Sequence, residues 1–132
     1  MSRRSILHSA FCILHSPIAL YALLALILVN VFPHFPSPNE FTRWALAAAI
    51  VEDHSVEVTP FVPLLGGGFE DLSERDGRLY SNKAPGGALL GLPGYLIARI
   101  IVGPASAMSM RPTLYAMRLT AATLPAVLLA FV

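Results

Sequence analysis

The feature that most limits what this chain can fold into is an uncharged apolar stretch near its start. Between residues 5 and 39 there is no Asp, Glu, Lys or Arg. Within it, residues 10–32 (AFCILHSPIALYALLALILVNVF) exceed the roughly 20 apolar residues that carry a helix across about 30 Å of hydrocarbon. Pro17 falls near the start of this run, where a missing N–H costs little. Composition points the same way: 55% of the residues are hydrophobic and only 13% charged, too few charges for the surface of an ordinary domain. The expected fold class is therefore an all-α membrane protein, a transmembrane helical bundle with an ordered extracytoplasmic loop.

Two other readings of the N-terminus compete. Ser2-Arg3-Arg4-Ser5 resembles a twin-arginine export signal, and a basic start before an apolar run resembles a secretory signal peptide. The run is long, however, and Pro33-His34-Phe35-Pro36 follows it in place of a small-x-small cleavage site. An uncleaved anchor is the expectation.

Charge sets the expected sidedness. All eight acidic residues lie between Glu40 and Asp76. Outside the segment 33–83 the only charged residues are basic: Arg3, Arg4, Arg99, Arg111 and Arg118. The rule that basic flanks stay inside gives a cytoplasmic N-terminus (1–9), a first span (10–32), an outer loop (33–83), a second span (84–103), a cytoplasmic turn (104–113) and a third span (114–132) that looks truncated. The chain reads as the N-terminal fragment of a longer multi-pass protein of a bacterial inner membrane, with the lipid bilayer as a partner. Arg99, near the inner end of its span, is expected to snorkel to the interface.

The outer loop carries local signals of its own. Ser37-Pro38-Asn39-Glu40 spells a helix start, with serine as N-cap, proline at the first position and glutamate closing a capping box. The spacing predicts a helix over about 38–54. Phe41, Trp44, Ala45, Ala48 and Val51 share one face, and Glu40, Arg43 and Ala47 another, a pattern expected to lie along a membrane surface. Val56–Val62 alternates and reads as a short strand. Gly66-Gly67-Gly68 is a flexible break, and Asp76-Gly77 signals a tight hairpin turn between Leu72 and Tyr80.

Two stretches, PNEFTRWALAAAIVED (38–53) and EDLSERDGRLYSNKAPG (70–86), carry a family likeness. The loop helix followed by aromatic-x-x-Lys-small-Pro-Gly resembles the multi-pass membrane glycosyltransferases that use polyprenyl-phosphate sugars, the aminoarabinose transferase and protein O-mannosyltransferase group. The likeness covers roughly residues 38–95. It implies a catalytic acid on the first outer loop, a polyprenyl-phosphate sugar donor, and a glycan, lipid or protein acceptor on the non-cytoplasmic face. The family usually shows Asp-Glu where this chain has Asn39-Glu40, which leaves Glu40 and Asp71 as two candidates for the base.

The chemistry asks for similar groups. Sugar transfer with inversion needs a carboxylate to take the acceptor proton and positive charge to stabilise the departing phosphate. Catalytic candidates are Asp71 and Glu40; substrate-binding candidates are Lys83, Arg43 and Tyr80. Each also has a plain reading: a capping box for Glu40, a helix-surface charge for Arg43, an Asx cap for Asp71, and interfacial anchors for Tyr80 and Lys83. A magnesium or manganese ion held by loop carboxylates is compatible with the sequence. His8, His15, His34 and His54 lack zinc-ligand spacing, Cys12 has no partner for an internal disulfide, and no basic-aromatic patch suggests nucleic acid. The rival function is a small non-enzymatic membrane subunit whose acidic loop docks a partner.

Overall fold

The computed structural model describes residues 37–66 and 71–129, together with Pro17, Ala19, Leu20, Tyr21 and Leu23. The first expected span, the N-terminal segment, Cys12, His8, His15, His34, Gly67, Gly68 and Glu70 otherwise lie outside the described residues. Helix α1 is Pro38–Glu52. A 3₁₀ helix spans Thr59–Leu65, strands β1 (Leu72–Arg75) and β2 (Arg78–Ser81) form a hairpin, and α2 is Gly86–Val102. Helix α3 (Met110–Arg118) continues through a π-helical turn, Leu119–Thr123, into α4 (Leu124–Leu129).

Local chemistry explains these elements. Ser37 is extended, Pro38 opens α1, and the Ser37 N–H donates to Glu40 Oε2 at 3.1 Å. The alanine run then has high helix propensity. The helix closes where His54 turns left-handed (φ 50°) and the Ser55 N–H reaches back to the Ala49 carbonyl at 3.1 Å. In the hairpin, Asp76 and Gly77 both have positive φ (53° and 74°), as a type I′ turn requires. The expected strand at Val56–Val62 is reduced to one bridge, Glu57 opposite Tyr80, after which the chain coils. Pro60 and Pro63 lack the N–H groups a ladder would use. The π turn precedes Pro125, whose ring would strike the Ala121 carbonyl in a regular helix.

The core corrects the expected place of α1. Trp44, Ala45, Ala47, Ala48 and Ala49 are fully buried, because α1 packs on α2, α3, the 3₁₀ helix and β2. It is the centre of the described fold, not a helix lying on a surface. Small side chains let the partner helices approach closely. The Trp44 indole stands edge-on to Phe61 at 6.4 Å and donates to Thr113 Oγ1 at 2.7 Å. Where α2 crosses α3, a Cβ at Gly94 would overlap the Ala116 carbonyl oxygen, so only glycine fits.

The transmembrane expectation is also corrected. Among the described residues no helix is long and apolar enough to cross a membrane, and a two-stranded sheet accompanies the helices, so the all-α multi-pass bundle is not what these residues build. The 17-residue α2, the expected second span, ends at Gly103 with φ 85°. Ion pairs remove the expected sidedness. Arg99 and Arg118, assigned by charge to the cytoplasmic side, bind Glu52 and Glu40, assigned to the outer side, at 2.7 and 2.6 Å. Residues in contact cannot be held on opposite faces of a bilayer. The inner-membrane, multi-pass placement with a cytoplasmic N-terminus falls with that partition.

Candidate functional site

The capping geometry that starts α1 also fixes the first group of candidate residues. Glu40 accepts two hydrogen bonds from Arg118, Nε to Oε1 at 2.7 Å and Nη2 to Oε2 at 2.6 Å, the fork geometry that makes such pairs strong. The Arg118 guanidinium also lies 5.7 Å from the Tyr115 ring centroid. Burial pushes the Glu40 carboxyl up, but the hydrogen bonds and charge of Arg118, the Ser37 N–H and the charge of Arg43 together hold it below its ordinary value. A carboxylate so fully engaged is a poor proton acceptor. Glu40 is better placed to position Arg118 than to act as a base.

Beside this pair lies a cavity of about 190 Å³ lined by Glu40, Arg43, Gly87, Leu114, Met117, Arg118, Ala121 and Ala122. Arg43 projects into it one turn along α1 from Glu40. Its Nε is buried and makes no hydrogen bond. A Cβ at Gly87 would lie 3.2 Å from Arg43 Cδ and Nε, so the glycine makes room for the guanidinium. The lining combines two cations and one carboxylate with apolar side chains.

A second group of candidate residues lies where the two ends of the hairpin meet. Lys83 Nζ lies 2.7 Å from Asp71 Oδ1, with both side chains mostly buried. The Asn82 N–H donates to the Asp71 carbonyl at 3.3 Å, and the Lys83 N–H to Ser81 Oγ at 3.3 Å. These bonds bring the two ends of the hairpin together and set the carboxylate against the ammonium. Lys83 precedes Gly87, the neighbour of Arg43, by four residues.

Of the residues expected to carry function, Asp71 meets Lys83 and Glu40 shares a cavity with Arg43. Tyr80 joins neither group; it lines a separate depression with Arg75, Asp76 and Arg78. Sequence reasoning missed Arg118, the strongest partner of Glu40. It also missed a second cluster, in which Arg99 donates twice to Glu52 at 2.7 Å and the Tyr95 hydroxyl donates at 3.1 Å. Glu52 is thus held below its ordinary range, chiefly by the Arg99 hydrogen bonds, and burial pushes the Tyr95 phenol up. One signal was available: an arginine within an apolar segment needs a partner. Among the described residues no group of three or more His, Cys, Asp or Glu side chains is placed to hold a metal ion. No protein family, no curated protein and no solved structure matches this chain.

Proposed function

We propose that this chain contributes the donor site of a glycosyltransferase that moves a sugar from a polyprenyl-phosphate carrier to a glycan, lipid or protein acceptor. One observation carries the reading: the buried, unpartnered Nε of Arg43 in a cavity lined by both cationic and apolar side chains. An unsatisfied buried guanidinium N–H is costly, and a phosphate oxygen would satisfy it. Leu114, Met117, Ala121 and Ala122 suit the first carbons of a prenyl chain. The likeness of the YSNKAPG stretch to enzymes that use such donors supports the same assignment.

In the proposed reaction the acceptor hydroxyl oxygen bonds to the anomeric carbon as the bond from that carbon to the phosphate oxygen breaks. The electron pair leaves on the phosphate, where Arg43 and Lys83 offset the charge. Asp71, with Oδ1 on Lys83, takes the hydroxyl proton at Oδ2. Glu40 holds Arg118 in place. The rival reading, an acidic loop free to dock a partner, is disfavoured because Glu40, Glu52 and Asp71 are held in close ion pairs within the chain, at 2.6, 2.7 and 2.7 Å.

The test is donor binding. Farnesyl phosphate should bind Arg43→Met and Lys83→Met roughly tenfold or more weakly than the parent, the loss of one charged hydrogen bond. Arg43→Met should at the same time unfold at higher denaturant, since it removes a buried donor without a partner. In the transfer assay Asp71→Asn should be slower by about 10²–10⁴ with donor affinity kept. Unchanged affinity in both cation variants would overturn the assignment.

A further inference from the structure

The hairpin has two faces of opposite character. Leu72 and Leu79 point to the core. The register places Arg75 opposite Arg78 and Ser73 opposite Tyr80, so alternation puts these four side chains together on the outer face. The bridge from Tyr80 to Glu57 adds Glu57 to it. This face borders an open depression of about 590 Å³ lined by Arg75, Asp76, Arg78 and Tyr80.

Two features are unusual for a merely solvated hairpin. Like charges stand directly opposite in the ladder, which disfavours the pairing. Each arginine has a carboxylate neighbour, Asp76 and Glu57, but both contacts are 3.7 Å long and involve exposed guanidinium groups. That is beyond hydrogen-bond length, so both forks remain available to a better acceptor. An oxyanion between them would relieve the repulsion, since guanidinium forks match carboxylate and phosphate geometry. The Tyr80 ring beside them offers a flat apolar surface with a polar tip.

We propose that this outer hairpin face binds an anionic saccharide, with its carboxylate or phosphate between Arg75 and Arg78 and its ring against Tyr80. The site is separate from the Arg43 cavity and stands whether or not that cavity binds a donor. Asp76 and Glu57 are then positioned to accept hydrogen bonds from sugar hydroxyls.

Binding to the whole chain can be followed by nuclear magnetic resonance, using the Tyr80 ring and the Gly77 amide as reporters. The probes are glucuronate, glucose 6-phosphate, glucose and inorganic phosphate. At least one anionic sugar should bind about tenfold or more tightly than either glucose or phosphate alone. Whichever does so identifies the anion as carboxylate or phosphate. Arg75→Gln, Arg78→Gln and Tyr80→Ala should each weaken it several-fold, while Tyr80→Phe keeps the ring and most of the affinity. These side chains are peripheral, and the amide spectrum verifies that each variant folds. Equal binding of sugar and anion halves, or indifference to all three substitutions, would overturn the proposal. So would loss of binding in Arg43→Met, which would place the ligand in the other cavity.

Discussion

The pairing of Glu40 with Arg118 joins the first turn of α1 to the last turn of α3, and its removal should weaken the fold by an amount that depends on pH. The side chains are 28% and 19% exposed. Breaking a fully buried pair costs about 3–5 kcal/mol, and an exposed pair contributes about 0.2–1 kcal/mol. This pair lies between those limits. Arg43 is near enough to lower the Glu40 pKa, so it compensates in part when Arg118 is lost. Arg118→Met should therefore cost about 2 kcal/mol and Glu40→Gln slightly less, since glutamine keeps a capping acceptor for the Ser37 N–H. The double variant should cost less than the sum of the two, with a coupling of about 1 kcal/mol or more. Urea unfolding followed by fluorescence measures this directly, because Trp44 is the one tryptophan and is fully buried. The Glu40 carboxyl is held below its ordinary value of 4.5 in the folded state. Its contribution is then complete above that value and fades as pH falls through the lowered folded value. The difference between the parent and Glu40→Gln should be full near neutral pH and shrink as the pH falls below 4.5. Strict additivity, or a difference that is constant across that range, would refute the pair as a stabilising contact.

Two further substitutions probe the packing around α1 and α2. Gly94→Ala should lower stability by about 1–3 kcal/mol or more, because its Cβ meets the Ala116 backbone carbonyl and the helices must part; Gly86→Ala, whose Cβ meets nothing within 4 Å, should instead hold or gain up to about 1 kcal/mol, and thermal unfolding of the two compares them. Thr113→Val strands the buried Trp44 indole N–H that donates to it at 2.7 Å, and should cost about 1–3 kcal/mol in urea unfolding.

Signals confined to a few neighbouring residues were legible in the sequence. Ser37-Pro38-Asn39-Glu40 specifies a helix start by its own hydrogen-bond chemistry, and α1 begins there. Asp76-Gly77 specifies a type I′ turn by its tolerance of positive φ, and the hairpin turns there. Signals that depend on what a residue faces were misread. Ala45–Ala49 has the same hydropathy on a surface helix as in a core, yet small side chains are what allow α2 and α3 to close on it. Residues 86–102 are apolar and glycine-rich, which suits a membrane span and a buried crossing equally. Periodicity alone does not separate them.

The site shows the same division, and charge is where the sequence held more than was taken from it. Asp71 and Lys83 lie twelve residues apart, and the hairpin between them closes that distance. Their meeting follows from a turn already visible at Asp76-Gly77. Glu40 and Arg118 are 78 residues apart, and nothing local links them. Yet Arg99 and Arg118 both stand in apolar stretches, where an unpaired charge is expensive, and every acidic residue lies between Glu40 and Asp76. Any folded arrangement that satisfies both arginines within the chain must bring those stretches onto the loop. The opposite assumption, that charge separation marks two sides of a membrane, uses the same residues and yields no partner for either arginine. The ion pairs Glu40–Arg118 and Glu52–Arg99 sit near the two ends of α1, so satisfying them orients that helix against α2 and α3. Arg43 is then the guanidinium on α1 left facing the cavity between the helices, which is why its buried Nε is the place to look for a ligand.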